Sequence, residues 1–334
     1  MDTVRQYMVY GIGNGLVDRQ VKITDSELTE LHLSKGYMEL ADQTEQARIL
    51  AYLGNRAGEL HAGGSAANTV VGMAQMGGTV AYTCSLADDA LGRHYAEDFA
   101  QLGIHLTSNL KPQNQTGLCL VLITPDGERT MKTYLGASTQ LHPEDIDEAV
   151  LAQAQWVYLE GYLLAGESTR AAAFHALKLA QQHKIRVAFS FSDGFLVAQF
   201  GEYLKTIVTD YADLVFANEL EAAAYTGRRD PQASLAAIVQ DCPNACVTCS
   251  ENGSYIHYHG VTYYVPAFAT QVVDLTGAGD MYAAGVLYGL STHATPEQAA
   301  RLGARAASYV VHQMGARLPG NLSETVRDIL ATGA

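Results

Sequence analysis

Short apolar runs alternate along this chain with longer stretches of helical period. The run Tyr7-Met8-Val9-Tyr10 ends at Gly11 and reads as a strand. The small-residue stretch 66–76 reads as a helix closed by Gly77-Gly78. Residues 79–84 predict a strand, and 91–102 a helix ending at Gly103. The alternation continues with a strand at 155–159, an Ala-rich helix at 168–183, strands at 186–191, 214–217 and 245–248, and a helix at 280–290. Strands and helices joined by short Gly-punctuated connections predict a parallel sheet covered by helices on both faces.

Two segments break the rhythm. Residues 17–58 mix polar and apolar positions with charges. In 116–136, Pro125-Asp126-Gly127 separates two apolar runs, which predicts a hairpin. Together they read as a small β-rich lid, discontinuous in sequence, of the kind that excludes water during group transfer. The expected organisation is a large α/β domain from 1–16, 59–112 and 138–334, with the lid from 17–58 and 113–137. Repeats and low-complexity tracts are absent from the sequence.

The 334 residues exceed one compact unit of usual size, which fits a large domain with an appendage. Hydrophobic residues at 48% and charged residues at 17% describe an ordinary folded protein. A net charge of −14, from 21 Lys+Arg against 35 Asp+Glu, excludes a broad nucleic-acid face and an anionic membrane surface. Phosphate would have to be held by backbone N–H groups and a few placed cations. Five cysteines do not form a disulfide framework. Cys242, Cys246 and Cys249 suggest a metal cluster, but 245–249 reads as a strand, where positions three apart face opposite sides. Buried thiols are the expectation there. With neither a leader pattern nor an apolar run of about 18 residues, a cytoplasmic protein without a membrane span is expected.

Four motifs carry candidate chemistry. In Asp274-Leu275-Thr276-Gly277-Ala278-Gly279-Asp280 a strand runs into Gly-Ala-Gly and then a helix. Glycines allow close backbone approach, and free N–H groups at a helix start attract an anion. The helix dipole there lowers a carboxylate's pKa. Asp280, beside such an anion hole, is suited to take a proton from an alcohol attacking a phosphoryl group. The plain alternative is a turn with Asp280 as a helix cap, and the motif alone leaves both open. Gly63-Gly64 opens a helix on which Asn68 sits one turn on, offering N–H groups and an amide to hydroxyls, or simply tight packing. Gly11-Ile12-Gly13-Asn14-Gly15-Leu16-Val17-Asp18 lacks the dinucleotide-binding spacing. On an extended chain its Asn14 and Asp18 face one way and could hold vicinal hydroxyls. Asn218-Glu219-Leu220-Glu221 reads as a capping box or as a water-mediated Mg²⁺ site. The eleven histidines form no zinc-protease pattern, and a P-loop motif is lacking.

Taken in this order, the segments resemble the ribokinase-like (PfkB) family of carbohydrate and nucleoside kinases over about residues 9–320. The resemblance implies a three-layer Rossmann-like sandwich with a small discontinuous β lid. It makes Asp280 the catalytic base and the N–H groups of Gly277, Ala278 and Gly279 the anion hole. Asn218 and Glu221 would organise Mg²⁺, through water, and the phosphates of ATP. Thr248 and Gly253 would border the nucleotide, and Arg129 on the lid would approach the transferring phosphoryl group. A monovalent cation near Asp274 is an open option.

Within the family the chain is most similar to adenosine kinases. Gly13-Asn14-x-x-x-Asp18 matches their ribose-hydroxyl segment at the same spacing, and His61-Ala62-Gly63-Gly64-Ser65 matches their signature more closely than that of sugar kinases. Arg129-Thr130-Met131-x-x-x-Leu135 matches a lid segment that carries apolar side chains onto the base, and Phe195 falls where an aromatic flanks the nucleoside. Leu163 stands where they carry a base-stacking Phe, Met38 where they carry a Gln, and Leu275 where Thr is usual. The implied substrate is a small nucleoside, adenosine first, converted at its 5′-hydroxyl to AMP. A ribose-, fructose- or ketodeoxygluconate-like sugar is the alternative. The implied protein is a monomer or homodimer. A non-catalytic binder would have no use for Asp280, and an NAD-dependent dehydrogenase would need the missing fingerprint.

Overall fold

Tyr7–Ile12 pairs in parallel with two strands far apart in sequence, Ala154–Glu160 on one side and Val80–Thr83 on the other. Strand order therefore reverses at this first strand. This computed structural model describes residues 5–56, 58–108, 110–112, 114–318 and 320–332. The expected domain limits at 1, 113 and 334 lie outside the described residues. Among these residues nine strands form one sheet, in the order Val261–Val265, Ser254–Tyr258, Ala245–Thr248, Leu214–Asn218, Arg186–Ser190, Ala154–Glu160, Tyr7–Ile12, Val80–Thr83 and His105–Leu106.

Successive residues of the central strands enter opposite cores. Val9, Trp156, Tyr158 and Phe216 meet the helices Ser65–Gln75, Ala278–Ser291 and Pro296–Val310. Tyr10, Val157, Leu159 and Val215 meet Glu167–Gln182, Gly194–Asp210, Glu219–Thr226 and Pro231–Ile238. Each such side chain, once fully buried, contributes about 1.5–3 kcal/mol, so apolar runs specify the sheet without polar alternation. Cys246 enters the first core, and Cys242 and Cys249 enter the second. Helices thus cover both faces of a mainly parallel sheet, as the resemblance implies.

The alternating rhythm does not foresee the sheet's last two strands. Ser254–Tyr258 and Val261–Val265 are antiparallel. Both residues joining them, His259 (φ 49°) and Gly260 (φ 83°), are left-handed, as a tight hairpin with native twist requires.

A second sheet has the order Met38–Leu40, Arg129–Tyr134, Gly117–Ile123, Leu16–Lys22, Glu59–Gly63. Ile123 opposes Arg129 across the expected hairpin, with Gly127 (φ 85°) in its turn. The segment 17–58, expected to be β-rich, also contributes two helices, Asp25–Glu30 and Gln43–Leu53. Each starts from a side-chain cap, Thr24 on the N–H of Glu27 and Asp42 on that of Glu45. Leu28, Ile49 and Leu53 from these helices, and Leu31 just after the first, pack with Val21, Leu120 and Leu122 of the sheet.

The helix Ala278–Ser291 is seated closely on its neighbours. A Cβ on Gly72 would lie 2.8 Å from Met281 Sδ, and one on Gly285 would lie 2.5 Å from Gly303 Cα. Among the described residues no helix is long and apolar enough to cross a membrane.

Candidate active site

The carboxyl ends of the strands Arg186–Ser190, Leu214–Asn218 and Ala245–Thr248 open onto a cleft of about 460 Å³. Such clefts beside a reversal of strand order are where open α/β sheets bind ligands, and the volume suits a small molecule. The second sheet forms the opposite wall through Asp18, Cys119, Val121, Arg129 and Met131.

Thr276, Gly277, Ala278, Gly279 and Asp280 form one end of the cleft. Gly277 caps the helix with φ 78°, and a Cβ there would sit 2.6 Å from the Ala316 side chain. Glycine is required on both counts. The N–H of Ala278 donates to Leu275 O at 3.2 Å, the first-turn N–H groups have no intrahelical partner, and the dipole favours an anion beside them. Ser65 Oγ donates to Asp280 Oδ1 at 2.6 Å, and Asn68 Nδ2 donates to Oδ2 at 2.9 Å. The expectation that the dipole lowers the Asp280 pKa is corrected here. Burial pushes it up to about 6, and the two hydrogen bonds only moderate the rise.

Asp18 lies nearby and is also pushed up to about 6, by burial and the Asp280 charge, against Arg129 and Arg317. Gly64 and Asn68 line the cleft beside it. Gly63 does not, but it leaves room for the Asp18 carboxylate, which a Cβ would meet at 2.8 Å. Gly64 (φ 108°) leaves room in the same way for the Asn14 carbonyl. Asn14 itself lies outside the lining. Its backbone N–H and its Nδ2 each donate to Glu160 Oε1 at 2.8 Å. Ala66 N donates to Glu160 Oε2 at 2.6 Å. Glu160 is 1% exposed, and burial pushes its pKa up to about 7 in spite of these donors.

Met38, Met131, Cys119, Val121, Tyr162 and Phe216 give the cleft an apolar wall. Leu163 and Leu135, expected to join it, do not. Gly161–Ala165 is a 3₁₀ turn that presents Tyr162 to the cleft and buries Leu163 in the core. Leu135 is half-buried at the start of the turn Gly136–Gln140. Phe195 is 42% exposed and outside the lining, with its ring centroid 6.4 Å from that of Tyr162.

Asn218, Glu221 and Thr248 line the far end. The capping box is formed. Asn218 Oδ1 accepts from Glu221 N at 2.8 Å, and Asn218 Nδ2 donates to Glu221 Oε1 at 2.7 Å. Burial, with the charges of Asp193 and Asp280, pushes Glu221 up to about 7. Gly253 is outside the lining and holds the turn after Thr248 with φ 83°, its carbonyl accepting from Cys249 N at 2.8 Å.

Arg129 lines the cleft, but its Nη1 is committed to Asp274 Oδ2 and to Thr276 Oγ1, the latter at 2.8 Å. Asp274 Oδ1 accepts from Thr276 N at 3.0 Å and from Thr276 Oγ1 at 2.7 Å, and Oδ2 accepts from Gly315 N at 2.8 Å. Although burial opposes it, these bonds and the Arg129 charge hold Asp274 below the usual carboxylate range.

Sequence reasoning did not assign a role to Glu160, Tyr162, Ser65 or Asp193. The available signals were a charge ending an apolar strand at Glu160 and an aromatic beside Leu163.

The pfkB family carbohydrate kinase model matches residues 41–322. A probable sugar kinase from Rhizobium etli CFN 42 has a similar structure, with TM-score 0.88 and 34% identity, covering 97% of this chain and 98% of that one. The adenosine kinase from Sinorhizobium meliloti matches with TM-score 0.88 and 36% identity, over 97% of this chain and 99% of its own. The 5-dehydro-2-deoxygluconokinase of Lacticaseibacillus casei is 29% identical over 264 residues, 75% of this chain and 81% of that protein. The chain belongs to the pfkB family of carbohydrate kinases, and it is an ATP-using phosphotransferase with an alcohol acceptor.

Proposed function

We propose that the protein phosphorylates the 5′-hydroxyl of a nucleoside, adenosine first, yielding AMP. The observation that carries this reading is the apolar wall of Met38, Met131, Val121, Tyr162 and Phe216 facing Asp18 and Asn68. A bare sugar needs the polar side alone, whereas a nucleoside needs a polar and an apolar side together.

In the proposed reaction the acceptor oxygen attacks the γ-phosphoryl group in line. Asp280 takes the hydroxyl proton. The N–H groups of Gly277, Ala278 and Gly279 face the charge that develops, and fixed donors of this kind supply much of the rate in phosphoryl transfer. Asp18 and Asn68 hold sugar hydroxyls, with Asn14 oriented behind them by Glu160. The second sheet, which takes Glu59–Gly63 in addition to the lid segments expected at 17–58 and 113–137, acts as a lid whose closure excludes water and suppresses ATP hydrolysis. Thr248 and Asn218 border the nucleotide.

Mg²⁺, when bound with the nucleotide, would screen its phosphate charge. Glu221 and Asn218 fit it through water rather than directly. Among the described residues no group of three or more His, Cys, Asp or Glu is gathered closely enough to hold an ion. The Asp193 and Asp280 charges nonetheless raise the proton affinity of Glu221, which a cation held there through water would relieve.

The second reading is a sugar kinase. It is favoured by the 29% identity to a 5-dehydro-2-deoxygluconokinase and by Leu135 and Leu163 lying outside the cleft. The test is an ADP-release assay with Mg-ATP against adenosine, inosine, guanosine, cytidine, ribose, fructose and 2-keto-3-deoxygluconate. Turnover with adenosine and not with ribose is expected. Turnover with a free sugar alone would replace the nucleoside reading and leave Asp280 in its role.

A further inference from the structure

The loop that leads into Asp280 is held at its other end by Asp274, and Asp274 is saturated. An ionised carboxylate offers about four lone-pair sites. Thr276 N and Thr276 Oγ1 take two on Oδ1, while Gly315 N and Arg129 Nη1 take two on Oδ2. The carboxylate is 4% exposed and the Arg129 side chain 10%. A monovalent cation coordinated here would find no free lone pair on Asp274 and would face a guanidinium at close range. The residues present therefore do not fit the ion that the family resemblance left open.

We infer that Arg129 is this protein's own cation for the anion loop, so that phosphoryl transfer needs no added monovalent ion. Three observations support it. The guanidinium neutralises the buried Asp274. It also bonds Thr276, the residue before the left-handed Gly277, and so holds the backbone that aims the Gly277–Gly279 N–H groups. Finally, Arg129 is carried by the strand Arg129–Tyr134 of the second sheet rather than by the loop itself. Ordering of the anion loop is thereby tied to the docking of that sheet, a link that a freely diffusing ion would not make. Arg129 acts here through Asp274 and Thr276, as a positioning residue. The inference rests on the reading of Gly277–Gly279 as the anion site, and not on which alcohol is the acceptor.

The experiment compares the intact protein in K⁺, Na⁺ and tetramethylammonium buffers of equal ionic strength, reading ADP release with whichever acceptor turns over and, separately, the thermal midpoint. Wild-type turnover is expected to agree within about twofold among the three, and its midpoint to ignore the choice of ion. The variant Arg129→Met keeps the side-chain length and removes the charge. Its turnover should drop about a hundredfold and recover about tenfold in K⁺ over tetramethylammonium. Its midpoint should rise selectively with K⁺, as binding to the folded state requires. Arg129→Lys should restore indifference to the ion. Activation of the wild type by K⁺, or an Arg129→Met midpoint blind to K⁺, would overturn the inference. The midpoint is read without any acceptor, so a failed acceptor panel counts against the proposed function and leaves this comparison standing.

Discussion

Asp274 and Asp280 stand at the two ends of one short loop and have opposite surroundings. Asp280 takes one donor on each oxygen, from Ser65 and Asn68, and opens onto the cleft. Asp274 takes two donors on each oxygen, one of them a guanidinium. The first is pushed up to about 6 and the second is held below the usual range. A carboxylate that is to accept a proton is left short of donors, and one that is to stay charged is given all it can hold. Environment thus divides the proposed base from an anchor with no change of side chain.

The contrast is broken most severely at the base. Asp280→Asn should lower turnover by about 10²- to 10⁴-fold, the usual contribution of a general base, while calorimetric acceptor affinity stays within about threefold. Near-normal turnover would show that proton removal lies elsewhere. At the anchor the larger effect is on folding. Asp274→Asn leaves the Arg129 guanidinium buried without its partner charge, and urea unfolding should report a loss of about 3–5 kcal/mol. A loss under about 1 kcal/mol would reduce Asp274 to a surface-like pair.

The pH dependence separates the two with opposite signs. With Asp280 as the proposed base, kcat/KM should fall about tenfold per unit below about pH 6 and level off above it. In stability, the raised Asp280 holds a proton in the folded state that the unfolded chain releases between its ordinary value and about 6. Its unfavourable effect is therefore relieved as pH falls through that window. The depressed Asp274 stabilises the fold above its unfolded value and loses that contribution as pH falls through its lower folded one. Paired denaturation series for wild type, Asp280→Asn and Asp274→Asn would resolve the two slopes, and parallel slopes would contradict the assignment. Ser65→Ala gives the smallest expected change. Loss of one donor should move the acid limb of kcat/KM upward by about half a unit to one unit and leave turnover at pH 8 within about threefold. An unmoved limb would mean that the hydroxyl does not tune the base.

Much of the large sheet was legible because strands buried on both faces carry unbroken apolar runs. The hairpin at its edge was not, because His259-Gly260 is an unusual pair for a tight turn. The helices near Thr24 and Asp42 were announced only by caps and lay in a segment that otherwise looked extended. In the site, Asp280, Gly277 and Asn68 were readable because a close backbone approach demands glycine at fixed offsets. Asn14, Leu135 and Leu163 lie outside the cleft lining for a different reason. Spacing tells which residues share a segment, but a 3₁₀ turn decides that Tyr162 and not Leu163 faces the cleft. Glu160 was hidden because its donors come from Asn14 and Ala66, far away along the chain. The saturation of Asp274 likewise needs Arg129 and Gly315 from distant segments.

The close seating of the Asp280 helix has a consequence for how the protein tolerates change. Gly72 faces Met281, the residue after Asp280, and Gly285 faces Gly303 farther along. A single added methyl at either position would act as a wedge, displacing the helix along with the carboxylate it carries. Inactivating substitutions should therefore be found deep in the packing, remote from any ligand, where the variant protein still folds and still binds its substrates but holds its base out of reach.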